Sequence, residues 1–342
     1  MKKRILAFVV ALALVLTQLP VVHATQTGSK DAPYLIGTAE QFLEFLERAN
    51  RSGDVYYELT ADIDLTGAEA LTGYEAQHVH LDGKGYTVRN ASVTDAIFTS
   101  LTASSIRNVT FQNISVTSVD SMAGTAVLAL EMDSNSVVSG CTFDGCTVAV
   151  PDGGFGGVIA AYMKGAIYNC TVTATSRVTG TNALIGGLVG ENDGIIQNCI
   201  SKAQFEATGS TVGGVVGQND YVLQRCYANV ALTFGQLYGD NSGRNSVVTN
   251  CLYRSNGTIV MEGGDDKDYA SMDLRQLAAE MTEGTMAEND TRLIKPVNPQ
   301  DYACTWSVEG EDLALSVDGK TAQIYFYVAK DLDIAKVTFS DT

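Results

Sequence analysis

Five cysteines, Cys141, Cys170, Cys199, Cys226 and Cys251, recur at intervals of 29, 29, 27 and 25 residues, each inside the same local pattern. Three residues before each stands an aliphatic side chain: Val138, Ile167, Ile196, Leu223 and Val248. An earlier copy, Ile106-Arg107-Asn108-Val109-Thr110-Phe111, carries Val109 in the cysteine slot, so the position asks for a small apolar group and not for a thiol. A repeat of about 27 residues with strand-type alternation predicts a β-solenoid, whose coils bury their inward faces against their neighbours.

The inward positions follow from parity. Counted from the ladder slot, −3 is apolar in every copy and +2 is Phe111, Phe143, Val172, Ser201, Ala228 or Tyr253. Because −3 and 0 are an odd number apart, one residue between them must leave extended backbone if both are to point inward. Asn108, Asn169, Asn198 and Asn250 occupy −1, and asparagine tolerates the left-handed region. Gly140 meets the same need, and Arg225 is the exception. In the copy after Cys226, alternation through Ala228, Val230, Leu232 and Phe234 predicts a longer strand.

A second strand precedes each ladder element, at Gly156-Gly157-Val158-Ile159, Gly186-Gly187-Leu188-Val189-Gly190 and Gly213-Gly214-Val215-Val216-Gly217. Its glycines imply sharp corners and close backbones. A leucine-rich repeat shares the −3, 0, +2 spacing. However, it wants asparagine where Gln204 and Ala231 stand, and the helical segment of each repeat is missing. The favoured fold class is therefore all-β, a right-handed parallel β-helix.

Lys2, Lys3 and Arg4 precede an apolar run from Ile5 to Leu16 and a small-residue end at Val22-His23-Ala24, the pattern of a secretory signal peptide. Export would remove three of 22 basic and none of 39 acidic residues, taking the net charge from −17 to −20. Such a field disfavours nucleic acid and anionic membrane surfaces as partners. No later stretch has the roughly 20 apolar residues of a spanning helix, so no membrane insertion is expected. Seven cysteines in an exported chain raise the question of disulfides. Stacked in-register side chains point the same way, whereas a disulfide needs converging Cβ vectors, so buried thiols are expected. Cys146 and Cys304 lie outside the ladder.

Three regions follow: a signal peptide over 1–24, a β-helix over 25–260 and a capping or appendage region over 261–342. Thr38-Ala39-Glu40-Gln41 has capping-box spacing ahead of Phe42, Leu43, Phe45, Leu46 and Ala49, which predicts a helical cap over 38–50. A strand is expected over 57–65, and a strand, tight turn and strand over 79–88 around Asp82-Gly83-Lys84-Gly85. Beyond 260, 272–281 reads as a short helix. Leu313–Val317 and Gln323–Val328 read as a hairpin around Asp318-Gly319.

Gly-Gly-Leu-Val-Gly-Glu-Asn-Asp-Gly-Ile-Ile-Gln-Asn-Cys at 186–199, echoed by Gly-Gly-Val-Val-Gly-Gln-Asn-Asp at 213–220, resembles the GLUG-motif repeats of bacterial secreted and surface proteins. The opening from Pro33 to Phe42, the strand at 59–65 and the turn at 82–85 are also similar to how such domains begin. The resemblance covers about residues 33–260. The coil before Cys141 departs from it, having Gly124 where the later copies have a pair. The resemblance implies an extracellular or cell-surface β-helix, found in adhesins or larger secreted enzymes, with no chemistry assigned to the motif.

Catalytic candidates are few. Only His78 and His80 survive signal removal, and they read as alternating strand residues; a two-histidine metal site is the alternative. No His-Glu-x-x-His motif exists. Glu191, Asp193, Asp220 and Asp240 read as solvated corner residues, without the basic and aromatic flanks that hold an acidic sugar. Tyr162, Tyr168, Tyr221, Tyr227 and Tyr238 would serve as platforms for carbohydrate. The Asn-Asp pairs at 192–193 and 219–220 should stack coil on coil. Asp193 and Asp220 are then the candidate metal ligands, for calcium, and no other cofactor is indicated.

The favoured function is a binding, adhesion or structural module with no catalysis of its own, its partner a host or cell-wall glycan or a protein ligand. The alternative is a polysaccharide-active lyase or glycosidase. An enzyme predicts paired, perturbed carboxylates with Lys or Arg along one face; a module predicts a smooth polar face.

Overall fold

A computed structural model describes residues 26–118, 124–232, 235–243, 245–249, 251–255 and 258–262, with strand segments at 293–294, 304–308, 311–315 and 326–327. The expected signal peptide and the helix at 272–281 lie outside the described residues.

The chain winds as a parallel β-solenoid of about eight turns, read from the eight parallel rungs that begin at Ile63–Asp64 and end at Cys251–Ser255. Five ladders of short strands form its faces. Tyr74–Asp82 is long enough to start two of them. Its first half pairs with Phe98–Thr102, and the ladder continues through Ala129–Met132, Ala160–Met163, Val189–Asn192, Val216–Asn219 and Tyr238–Asp240. Its second half pairs with Ser105–Arg107, followed by Val137–Ser139, Ala166–Tyr168, Ile195–Gln197, Val222–Gln224 and Val247–Thr249.

Register explains the repeat. Leu81, Ile106, Val138, Ile167, Ile196, Leu223 and Val248 stack in the −3 row. Val88, Phe111, Phe143, Val172, Ser201, Ala228 and Tyr253 stack in the +2 row. Phe111 and Phe143 lie ring on ring, 5.2 Å apart. Between the rows the backbone turns left-handed at the −1 residue, with φ of +55° at Asn108, +63° at Gly140, +53° at Asn169 and +55° at Asn198. Arg225, the sequence exception, makes the same turn at +49° although buried. The corner geometry outweighs a local preference worth roughly 1–2 kcal/mol.

The ladder cysteines and Cys146 are buried and unbridged. Each ladder thiol donates to backbone carbonyls, as Cys199 Sγ does to Gln197 O at 3.3 Å and Ile167 O at 3.7 Å. Burial pushes the Cys141, Cys170 and Cys226 thiols well up and Cys146 to about 12.

Ala39–Glu47 forms the N-terminal helix, with Thr38 Oγ accepting from Gln41 N and Gln41 Oε1 accepting from Gly37 N. It buries Phe42, Phe45 and Leu46; Phe45 packs 4.8 Å from Tyr57 and 6.4 Å from Phe98. It stops short of residue 50 because Asn50–Leu59 is already strand, pairing with Tyr74–Asp82.

Several expected elements are relocated. The strand expected over 57–65 splits into Asn50–Leu59 and Ile63–Asp64, on different sheets. Among the described residues the strand after Cys226 is Tyr227–Ala228, and 229–232 are not strand. The first glycine pair aligns one residue off, with Gly157, not Gly156, on Gly186 and Gly124 on Phe155, whereas Gly186 lies on Gly213. At the matched glycines a side chain has no room, since a Cβ at Gly186 would stand 1.8 Å from Val189 O and one at Gly213 1.8 Å from Val216 O. Near the C-terminus, Glu311–Leu315 pairs with Cys304–Val308, and Phe326–Tyr327 with Leu293–Ile294, in place of the expected hairpin.

Cys199→Val keeps shape and polarity and should cost under about 1.5 kcal/mol in denaturant unfolding. Cys199→Asp should cost several kcal/mol by burying an unpaired charge. Thiol labelling of the native protein should be slow at every ladder position.

Candidate functional site

The outward face of the first ladder carries the densest chemistry. In a strand, neighbouring residues face opposite ways, so one rung supplies both an inward and an outward row. The outward row runs Ser100, Glu131, Tyr162, Glu191, Gln218 and Asp240, each in register with the next. The inward row runs Leu101, Met132, Met163, Asn192 and Asn219. At Asn192 it changes from apolar to amide.

Asn192 and Asn219 have no solvent exposure. Asn192 Nδ2 donates to Asn219 Oδ1 at 2.8 Å, and Asn219 Nδ2 donates to Asn241 Oδ1 at 2.8 Å. Asn192 Oδ1 accepts from Gly194 N at 3.0 Å, and Asn219 Nδ2 also donates to Tyr221 O at 3.2 Å. Each amide so satisfies its neighbour and the corner backbone, and burial costs little. The expected Asn192–Asn219 stack is present, at strand ends facing the core.

The acids do not sit as read. Glu191 and Asp240 are strand residues in the outward row, not corner residues. Asp193 and Asp220 follow the asparagines one rung apart and are engaged differently. Asp193 Oδ2 accepts from Tyr162 OH at 2.6 Å, while Asp220 Oδ2 accepts from Gln218 Nε2 at 2.7 Å. Burial, then the Asp220 and Asp193 charges, raise the Glu191 pKa, and Lys164 opposes them. Lys164 Nζ also lies 5.1 Å over the Tyr162 ring. Burial and the bond to Asp193 raise the Tyr162 hydroxyl, so it stays a donor.

Among the expected tyrosine platforms, Tyr221 is exposed, but Tyr227 is only 1% exposed and is a core residue.

The histidines form a cluster that alternation concealed. His78 has φ +54°, which breaks the alternation. Its Nδ1 lies 3.1 Å and His80 Nε2 3.3 Å from the same Asp54 oxygen. His80 Nδ1 meets Ser105 Oγ at 2.9 Å, and the His80 ring stacks on Tyr56 at 4.6 Å. The two histidine hydrogen bonds hold Asp54 below its ordinary pKa. Asp54 is 24 residues from His78 in sequence, so no local motif announced the contact. Among the described residues no three His, Cys, Asp or Glu side chains gather as a group able to hold a metal.

No protein-family model matches the chain. Halomucin of Haloquadratum walsbyi is 30% identical over 191 residues, 49% of this chain and 2% of that protein. Two solved chains overlap the fold. One, from Bacteroides ovatus and assigned as an immunoglobulin A1 protease, has TM-score 0.42 and 18% identity, over 71% of this chain and 83% of that one. The other, an IgA1 protease, has TM-score 0.40 and 14% identity, over 75% of this chain and 26% of that one. At these values neither overlap speaks to activity.

Asn219→Ala removes the middle of the amide ladder, leaving Asn192 Nδ2 only its 3.3 Å bond to Val222 O and taking the donor from half-buried Asn241 Oδ1. A loss of about 1–3 kcal/mol is expected, as for one buried group losing a partner, measurable by urea unfolding.

Proposed function

We propose that this chain is a secreted or surface-exposed right-handed β-helix, a binding or adhesion module without catalysis whose outward row takes a glycan or protein ligand. The observation that carries this reading is the in-register row Glu131, Tyr162, Glu191, Gln218 and Asp240, rigidly spaced along the solenoid and backed by buried amides. Strand spacing puts a side chain about every 4.8 Å, a fixed array for an extended ligand. In this reading the helix at Ala39–Glu47 closes the first coil, the GLUG-like segments at 186–199 and 213–220 build the central coils, and the region after 260 is an appendage.

One observation favours the polysaccharide-active alternative: Glu191 has a raised pKa beside Asp193 and Asp220, with Lys164 close by. An acid with a raised pKa beside other carboxylates is the pattern that glycoside hydrolysis uses. Glycan-array binding together with a hydrolase and lyase screen of the mature chain separates the two. Binding without turnover is expected. Turnover abolished by Glu191→Gln would establish the enzyme instead.

Calcium at Asp193 and Asp220 belongs to the same proposal, because the charges that raise Glu191 are those a divalent cation would relieve. Millimolar calcium should then raise Tm, and Asp193→Asn/Asp220→Asn should remove the rise. An unchanged midpoint in the parent protein discards the site.

A further inference from the structure

The N-terminal end holds a cleft of about 330 Å³ that the outward row does not use. This lies within the roughly 300–1,000 Å³ of small-ligand sites. Its walls come from Tyr34–Ile36, the Ala39–Glu47 helix and the start of Asn50–Leu59. One side is aromatic and aliphatic, from Tyr34, Leu35, Phe45 and Tyr57. Tyr34 and Leu35 are large apolar residues left 38% and 40% exposed at its rim.

The polar side is cationic. Arg48 is neutralised by Glu44 at 2.9 Å. Arg51 has a single hydrogen-bond partner among the described residues, the hydroxyl of Tyr57, to which Nη2 donates at 2.9 Å. Its Nε is shielded from solvent and has no acceptor. A guanidinium cannot deprotonate, so Arg51 keeps its charge and an anion is the partner that suits it. On a chain of net charge −17, a half-buried arginine without a carboxylate partner stands out.

We propose that this cleft binds an organic carboxylate, the carboxylate pairing with Arg51 and its ring or alkyl body lying on Tyr34, Leu35 and Tyr57. The planar fork of arginine matches a carboxylate in two parallel bonds. Glu44 at the rim disfavours a dianion such as phosphate. The apolar wall rejects small hydrated anions, since covering it is where a larger acid gains. An acidic sugar and an aromatic acid share this chemistry. The proposal does not depend on the outward row's ligand.

Titrate the mature chain with methyl glucuronide, phenylacetate, their uncharged counterparts methyl glucoside and phenylacetamide, and inorganic phosphate, following Tm and aromatic NMR signals. At least one carboxylate should bind, its uncharged counterpart about tenfold or more weakly, and the preferred acid identifies the source. Arg51→Met should weaken binding by about tenfold or more, and Arg51→Lys should restore part of it. Should Arg51→Met not fold, Leu35→Glu at the exposed rim decides, because a like charge there must repel the acid. No shift with either carboxylate up to about 20 mM, stronger binding of phosphate, or equal binding by the Arg51→Met or Leu35→Glu protein overturns the proposal.

Discussion

Every feature of this molecule depends on one coil lying in register on the next. Parallel ladders repeat each backbone hydrogen bond one rung higher, and a residue must then pack on its own counterpart in the neighbouring coil. That condition admits small or flat side chains in the core. Cysteine, valine, alanine and serine fill the slots where coils approach, and the Phe111–Phe143 pair survives because the rings lie flat on each other. It also requires every coil to turn at the same place, so even Arg225 takes the left-handed corner that asparagine occupies elsewhere.

The same condition produces polar ladders inside the protein. One buried asparagine would leave amide groups unpaired, whereas a column of them passes hydrogen bonds from coil to coil. Ser104 and Ser136 do similar work at an earlier corner, where Val79 N donates to Ser104 Oγ and Ser104 N donates to Ser136 Oγ. Buried polarity is tolerated because repetition supplies the partner.

On the outside, repetition imposes geometry without imposing chemistry. The outward row changes from serine to glutamate, tyrosine, glutamine and aspartate while its spacing stays fixed. Like charges one rung apart perturb one another, and Glu191 records this. Function is therefore best sought where the repeat is broken: on this row, at the His78 corner and in the cleft beside the N-terminal helix.

The sequence alone determined the solenoid, its inward rows, the corner residue, the reduced cysteines and the Asn192–Asn219 stack, because each is a nearest-neighbour property written once per repeat. It also placed the N-terminal helix, through the spacing of Phe42, Phe45 and Leu46 behind Thr38. Tertiary structure decided what joins residues with no shared period. Asp54 meets His78 and His80 only because a bulged strand crosses a left-handed corner. Tyr227 is core and not platform, although Ile200 in the same register position one coil earlier is only half-buried. Gly157 and not Gly156 lies on Gly186, a register that a repeated Gly-Gly pair does not reveal by itself. Arg51 gained a cleft because a helix, two strands and a turn meet where the repeat has not yet begun.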